Sequence, residues 1–214
     1  MIGGFGAGGK AEPLDGLGTR ATLSPMPRHY SFEITLVGTK PRVWRAFLLD
    51  SAATFHDLHG AIQEACGWED SHLYEFRAAR RGPGIAGPRD SSGMGQRAPD
   101  AKRVALSAYF GTKVGTRCLY EYDFGDGWTH DVVLTEIVER DGKSKRILLG
   151  GERAFPPEDC GGLPGYERCV ALATGKGWTP DMGGDEERAE LAEWLGKWKP
   201  EQFDVVGAKR AFDR

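Results

Sequence analysis

Apolar and polar positions along the chain follow two periods in turn. Tyr30, Phe32, Ile34 and Leu36 alternate with Ser31, Glu33 and Thr35, which is the period of a half-buried strand. Gly38-Thr39-Lys40-Pro41 reads as a turn, and Arg42–Leu49 as the returning strand. The spacing then becomes helical. Phe55, Leu58, Ile62 and Ala65 define one apolar face, Thr54 and Asp57 are placed for an N-terminal capping box, and Gly67 supplies the stop. Residues 68–77 return to strand-like alternation, with His72, Tyr74 and Phe76 set against Leu73 and Glu75. Order resumes over Val104–Phe110. A meander follows: Arg117–Phe124, a tight turn at Gly125-Asp126-Gly127, Trp128–Glu139, and an Asp141-Gly142 hairpin signal leading to Lys145–Leu149. Residues 155–165 read as a rigid irregular loop, and Tyr166–Thr174 and Glu186–Lys197 as closing helices. Strands and helices are largely segregated, which predicts an α+β fold: a single domain with a mostly antiparallel sheet of hairpins and a meander, packed by a few helices.

Composition sets the limits of that domain. Residues 1–27 are rich in Gly and Pro and poor in large apolar groups, so a disordered tail is expected there. The domain is expected over 28–206, with a flexible basic insert at 82–99 and a C-terminal tail at 207–214. At 214 residues the chain can bury a full core without disulfide staples. No apolar run is long enough to span a bilayer, and no signal-peptide pattern opens the sequence, so a cytoplasmic, membrane-free protein is expected. None of Cys66, Cys118, Cys160 and Cys169 forms a Cys-x-x-Cys pair, and free thiols are the simplest reading.

The net charge of −3 argues against a whole-surface nucleic-acid binder. Its distribution is uneven, however. Arg77, Arg80, Arg81, Arg89, Arg97, Lys102 and Arg103 face only Asp90 and Asp100 in their stretch, leaving it at +5 and the remainder at −8. A basic loop on an acidic body is placed to touch phosphates, with Arg80, Arg81 and Arg89 at its centre.

Candidate chemistry concentrates in two segments. In Tyr122-Asp123-Phe124-Gly125-Asp126-Gly127-Trp128-Thr129-His130, a two-residue turn would set Asp123 opposite His130, making a carboxylate–imidazole pair. A three-residue turn would set Tyr122 there instead. In Pro156-Pro157-Glu158-Asp159-Cys160-Gly161-Gly162, two stiffening prolines lead to adjacent carboxylates and a thiol, a set suited to metal ligation or nucleophilic chemistry. The same groups are equally suited to capping backbone N–H groups and packing inside. His59 sits at the edge of an apolar helix face, whereas His29 and His56 read as exposed. No phosphate-loop, dinucleotide, zinc-protease or serine-hydrolase motif occurs.

These segments resemble the plasmid pRiA4b ORF-3-like family. The resemblance runs over roughly 28–206 through Trp44-Arg45, Leu58-His59, Gly67-Trp68, Ser71-His72-Leu73, YDFGDGWTH and PPEDCGG. It implies a compact α+β domain and an association with plasmids or mobile elements. The family's characteristic positions fall here on His59, Trp68, His72, Asp126, Trp128, His130, Glu158, Asp159 and Cys160. Two functions compete. One is a macromolecule-binding or accessory module that contacts nucleic acid or a mobile-element protein through Trp68, Trp128, Arg80, Arg81 and Arg89. The other is a metal-assisted hydrolase. Its catalytic candidates are His130, Asp126, Glu158, Asp159 and Cys160, and its ligands to a divalent metal would come from His59, His72, His130 and Asp126. The default is no cofactor.

Overall fold

The computed structural model describes residues 28–78, 84–87, 98–140 and 144–213. It contains one seven-stranded antiparallel sheet of order β4-β3-β5-β6-β1-β2-β7. The strands are β1 (Arg28–Leu36), β2 (Trp44–Asp50), β3 (Tyr74–Arg77), β4 (Gly84–Ala86), β5 (Arg117–Tyr122), β6 (Trp128–Glu139) and β7 (Arg146–Glu152). The helices are α1 (Phe55–Cys66), α2 (Leu106–Phe110), α3 (Gly162–Thr174), α4 (Asp185–Leu195) and α5 (Val205–Phe212), with a turn of 3-10 helix at Pro180–Met182. The expected α+β antiparallel architecture is therefore the observed one. No helix among the described residues is long and apolar enough to cross a membrane.

Strand alternation places the large side chains on one face. Across the ladders, Phe47, Phe32 and Leu134 lie side by side, as do Leu36, His130, Tyr120 and Phe76, and Trp128, Tyr122 and Tyr74. All of them are buried. Helix α1 covers this face with Phe55, Leu58, Ile62 and Ala65, the four residues that its periodicity singles out. Its start is the predicted capping box, closed between Thr54 and Asp57, and Gly67 ends it in the left-handed conformation at φ 80°. The opposite face carries ion pairs instead, such as Arg42–Glu33, Arg117–Asp131 and Arg77–Glu121. The polar half of the alternation has gone to that side.

Several boundaries differ from the sequence reading. Part of the proposed 82–99 insert is a strand: β4 extends the sheet beyond β3, and Ala86 exchanges backbone hydrogen bonds with Pro99 and Ala101. The residues assigned to a tail after 206 form most of α5, whose Phe212 packs on Phe47 at 5.3 Å and is 1% exposed. Amphipathic spacing across Val205–Phe212 was the available signal. Helix α3 begins at Gly162 rather than Tyr166, because Pro164 in a first turn needs no intrahelical donor. His29, expected at the surface, is buried, since β1 lies between two other strands. The Asp141-Gly142 turn, the 1–27 segment, and Arg80, Arg81 and Arg89 lie outside the described residues.

One buried cation fastens the helix layer to the loops. Arg45 is 2% exposed and has no carboxylate among the partners observed. It donates to the carbonyls of Ala65 (2.9 Å), Trp44 (2.7 Å) and Glu152 (3.2 Å), and lies over the rings of Phe155 and Phe203. Ala65 is in the last turn of α1, where carbonyls lack helical partners and the helix dipole favours a cation. Burial still pulls the Arg45 pKa down, to about 10, so the group stays charged at neutral pH.

Candidate functional site

Three segments meet at one end of the sheet: residues 68–72 after α1, the β5–β6 turn, and the 155–162 loop. Trp68 is at their centre. Its Nε1 donates to the Pro156 carbonyl at 2.9 Å, and its ring packs on Tyr122, Trp128, His130 and Phe155 at centroid distances of 5.2 to 5.9 Å. The Tyr122 hydroxyl donates to Glu158 Oε1 and accepts from the Ser71 and His72 backbone N–H groups at 3.0 and 3.3 Å. The other Glu158 oxygen accepts from the Glu69 N–H at 2.7 Å. Asp126 Oδ2 accepts from the Gly161 N–H at 3.0 Å. The glycines of the loop permit this closeness. A Cβ on Gly162 would sit 2.5 Å from the Asp126 carbonyl, and one on Gly165 only 1.6 Å from that of Cys160.

Glu158 and Asp126 are therefore spent on holding loops together. Burial, and then the neighbouring Glu158, raise the Tyr122 pKa, which keeps the hydroxyl protonated as a donor. Tyr122→Phe removes that donor and leaves two backbone N–H groups short of an acceptor. It is expected to cost about 1–3 kcal/mol, read as a lower midpoint in chemical denaturation.

His29 apart, the histidines divide into three environments. His59 is 1% exposed and closed into a ring of hydrogen bonds. Its Nε2 lies 2.6 Å from Asp70 Oδ1, and its Nδ1 lies 2.7 Å from the Tyr120 hydroxyl. Gln63 Nε2 donates to that hydroxyl at 2.9 Å, and Gln63 Oε1 accepts from the Asp70 N–H at 3.1 Å. With the Nε2 proton directed at the carboxylate, Nδ1 accepts from Tyr120, and every member is satisfied. His56, half-buried, meets the Tyr74 hydroxyl at 2.9 Å. Together with His59 and Asp70 it lines a cavity of about 600 Å³ beside the start of α1.

His130 is completely buried. Neither turn length considered from the sequence occurs: Tyr122 pairs with Trp128 and Tyr120 with His130, leaving five residues, Asp123–Gly127, in the connection. The turn is longer because Asp123 adopts φ 51°, its carboxylate accepts from the Gly125 N–H, and its carbonyl accepts from the Gly127 N–H. His130 consequently points into the core between Trp68, Tyr120 and Phe155, with Nδ1 3.3 Å from the Tyr120 carbonyl. Burial pulls its pKa down to about 3. An imidazole sealed in this way has no route to an ion shared with solvent.

The third environment is the rim. His72 Nε2 lies 2.9 Å from Asp159 Oδ1, and Nδ1 lies 3.8 Å from Asp123 Oδ1. The Asp159 oxygen is within reach of Nε2 but off the direction of a hydrogen bond, so that nitrogen has no hydrogen-bond partner among the described residues. One ligand atom from each of His72, Asp123 and Asp159 falls within 4.8 Å of the others. Donors on one ion at bonds of about 2.0–2.2 Å are roughly 3–4.4 Å apart, so a modest inward turn of the exposed Asp159 carboxylate brings the three to such separations. The side chains of His72, Asp123 and Asp159 are 30%, 12% and 67% exposed, so the cluster is anchored on one side and open on the other. Asp123 and Asp159 both adopt positive φ, at 51° and 61°, a conformation that Asp tolerates better than most residues. Leu73 and Phe124, both exposed, flank the cluster.

Of the four metal candidates from the sequence, only His72 thus joins a ligand cluster. His59 is occupied by Asp70 and Tyr120, His130 is sealed, and Asp126 serves Gly161. Of the catalytic candidates, Asp159 is at the rim, Glu158 is committed to Tyr122 and Glu69, and the Cys160 thiol lies 4.0 Å from the Gly162 carbonyl. Trp68 and Trp128 are core residues, 7% and 1% exposed. The sequence sets Asp123 only beside His130, and its place at the rim depends on the five-residue turn.

Comparison with known proteins agrees with this architecture. The chain is 35% identical over 165 residues to the uncharacterized protein y4hQ of Sinorhizobium fredii, covering 77% of this chain and 79% of that one. It is similar to the crystal structure of MM3350, a protein of unknown function from Methanosarcina mazei Go1. That match has a TM-score of 0.69 and 34% identity, over 84% of this chain and 95% of the other. The family model described as plasmid pRiA4b ORF-3-like protein matches residues 28–206, which include all three segments of the site. The chain belongs to the plasmid pRiA4b ORF-3-like family.

Proposed function

We propose that His72, Asp123 and Asp159 bind a divalent cation and that the bound ion serves metal-assisted hydrolysis. The convergence of one imidazole and two carboxylates within 4.8 Å at an open rim carries this reading. One nitrogen and two carboxylate ligands suit Mn²⁺ or Zn²⁺ better than a soft thiophilic ion. Three protein ligands leave positions for water and for an anionic group of the substrate, and an ion so placed lowers the pKa of its water towards neutrality. The hydrogen-bonded frame of Trp68, Tyr122, Glu158 and Asp126 holds the three ligand-bearing segments in register. The ligands would otherwise ride on mobile turns.

The test is turnover of p-nitrophenyl phosphate and p-nitrophenyl acetate by chelator-treated protein with and without added Mn²⁺ or Zn²⁺. Metal-dependent turnover that disappears in Asp159→Asn is the expected result. Stoichiometric metal without turnover against a broad ester panel would reduce the reading to a cation site. The macromolecule-binding reading is supported by charge alone: its Arg80, Arg81 and Arg89 lie outside the described residues, and Arg77 is engaged by Glu75 and Glu121. It expects nucleic-acid affinity that falls steeply with salt and with reversal of those three charges.

A further inference from the structure

A second cavity, of about 390 Å³, lies where the β1–β2 turn, the residue after β7 and helix α3 meet. The turn seats directly on the helix: a Cβ at Gly38 would fall 2.6 Å from Leu163 Cδ1. Arg153 lines the cavity at φ 66°, a left-handed conformation that arginine rarely takes because its Cβ crowds the following carbonyl. Its neighbours hold it there. The Glu152 carbonyl accepts from Arg45 at 3.2 Å, and the Ala154 N–H donates to the Pro200 carbonyl at 2.9 Å. The Arg153 side chain is only 10% exposed. Both Glu201 oxygens accept from its Nη1, whereas Nε is buried with no hydrogen-bond partner among the described residues. Nε and Nη2 form the edge with which a guanidinium grips a planar carboxylate through two parallel hydrogen bonds, and Glu201 does not use it. Lys40 and Lys176 also line the cavity, so three cations stand there against one carboxylate, Glu167. Leu163, Val170 and Met182 supply an apolar wall.

We propose that this cavity binds a small amphiphilic carboxylate, its head on Arg153 and its apolar body against Leu163, Val170 and Met182. A buried donor without an acceptor is destabilising in the free protein, and an anionic oxygen supplies what Nε lacks. The surplus of cations selects an anion, and the fork of a guanidinium matches the plane of a carboxylate. Lys40 and Lys176, both exposed, draw the anion in from the rim. The volume is at the small end of the roughly 300–1,000 Å³ of ligand pockets, which suits a short-chain acid and not a protein segment. The left-handed backbone of Arg153 fits the same purpose, since strained residues persist where they set a side chain against a ligand. The cavity shares no residue with His72, Asp123 and Asp159, so this inference is independent of the metal reading.

The probe is octanoate, titrated by calorimetry into full-length, chelator-treated protein, beside octanol and inorganic phosphate. Saturable octanoate binding at one site per chain is expected. Octanol and phosphate are each expected to bind at least about tenfold more weakly, because one lacks the charged head and the other the apolar body. Arg153→Gly accepts φ 66° without strain and removes the guanidinium, and it is expected to lower octanoate affinity by about 30-fold or more. Lys40→Glu combined with Lys176→Glu reverses two charges at exposed positions and is expected to lower it about tenfold. Circular dichroism checks the folding of Arg153→Gly, and the lysine pair decides alone should that variant unfold. The inference is overturned if octanoate does not saturate the wild type, or if octanol or phosphate binds as tightly. It is overturned equally if octanoate affinity is unchanged in the lysine double variant or in folded Arg153→Gly.

Discussion

Lowering the pH from 7 to 5 is expected to remove about 4 kcal/mol of unfolding free energy through His59 and His130 alone. Both side chains are buried, and their pKa values fall from the ordinary 6.5 to about 4 and about 3. Burial is the main cause in each case. For His59 it outweighs the opposing pull of the Asp70 carboxylate. The sign follows from which state binds the proton. In the unfolded chain both imidazoles charge near pH 6.5, whereas in the folded protein they remain neutral until about pH 4 and 3. Stability is therefore complete above pH 6.5 and is lost as the pH falls through that value towards the folded pKa values. Each unmatched proton is worth about 1.4 kcal/mol per pH unit, which gives about 2 kcal/mol per histidine by pH 5.

The structural event beneath this is specific. A proton on His59 Nδ1 takes away the acceptor of the Tyr120 hydroxyl and opens the ring through Gln63 and Asp70. A proton on His130 places an uncompensated charge among Trp68, Tyr120 and Phe155. Urea denaturation at pH 7, 6 and 5 measures the slope. His130→Gln, whatever its absolute stability, is expected to show about half the wild-type slope. A variant that runs parallel to the wild type over this range would show that His130 does not titrate as its burial requires.

The periodic parts of the fold were legible in the chain. The helical stripe of Phe55, Leu58, Ile62 and Ala65 and the alternation of β1 and β6 follow from which side chains must leave water. Local chemistry also marked the capping box and the Gly67 stop. Less was legible where a local rule met a tertiary one. The β5–β6 turn carries an Asp-Gly pair that favours a short hairpin, yet Asp123 takes the left-handed conformation and lengthens it to five residues, which swaps the neighbour of His130 from Asp123 to Tyr120. That one change in register moves His130 out of the candidate site and Asp123 into it. The sequence carries no signal that the Tyr122 hydroxyl reaches Glu158, or that the Tyr120 hydroxyl reaches His59, because both pairings join segments far apart in the chain. In the chain Arg45 likewise stands out only as part of Trp44-Arg45. Its burial depends on α1 ending above it and on Phe155 and Phe203 closing over it.

Replacing Asp123 by asparagine is expected to weaken divalent-cation binding by about 100-fold or more, since loss of even an outer-shell partner costs roughly 10–100-fold. Asparagine keeps an oxygen for the Gly125 N–H and tolerates positive φ, so the turn survives while one anionic ligand is lost. His72→Gln and Asp159→Asn are expected to act in the same direction. His130→Gln is expected to leave affinity unchanged, because His130 is 0% exposed and outside the cluster. These contrasts separate a metal centre at the rim from one built on the sealed histidine. The most direct measurement is calorimetric titration of Mn²⁺ into chelator-treated protein, wild type beside Asp123→Asn, with circular dichroism as the control for folding. One ion bound per wild-type chain, and none measurable in the folded variant, is the predicted result. Equal uptake by both proteins, or none by the wild type with either Mn²⁺ or Zn²⁺, would contradict the assignment of His72, Asp123 and Asp159 as a metal centre.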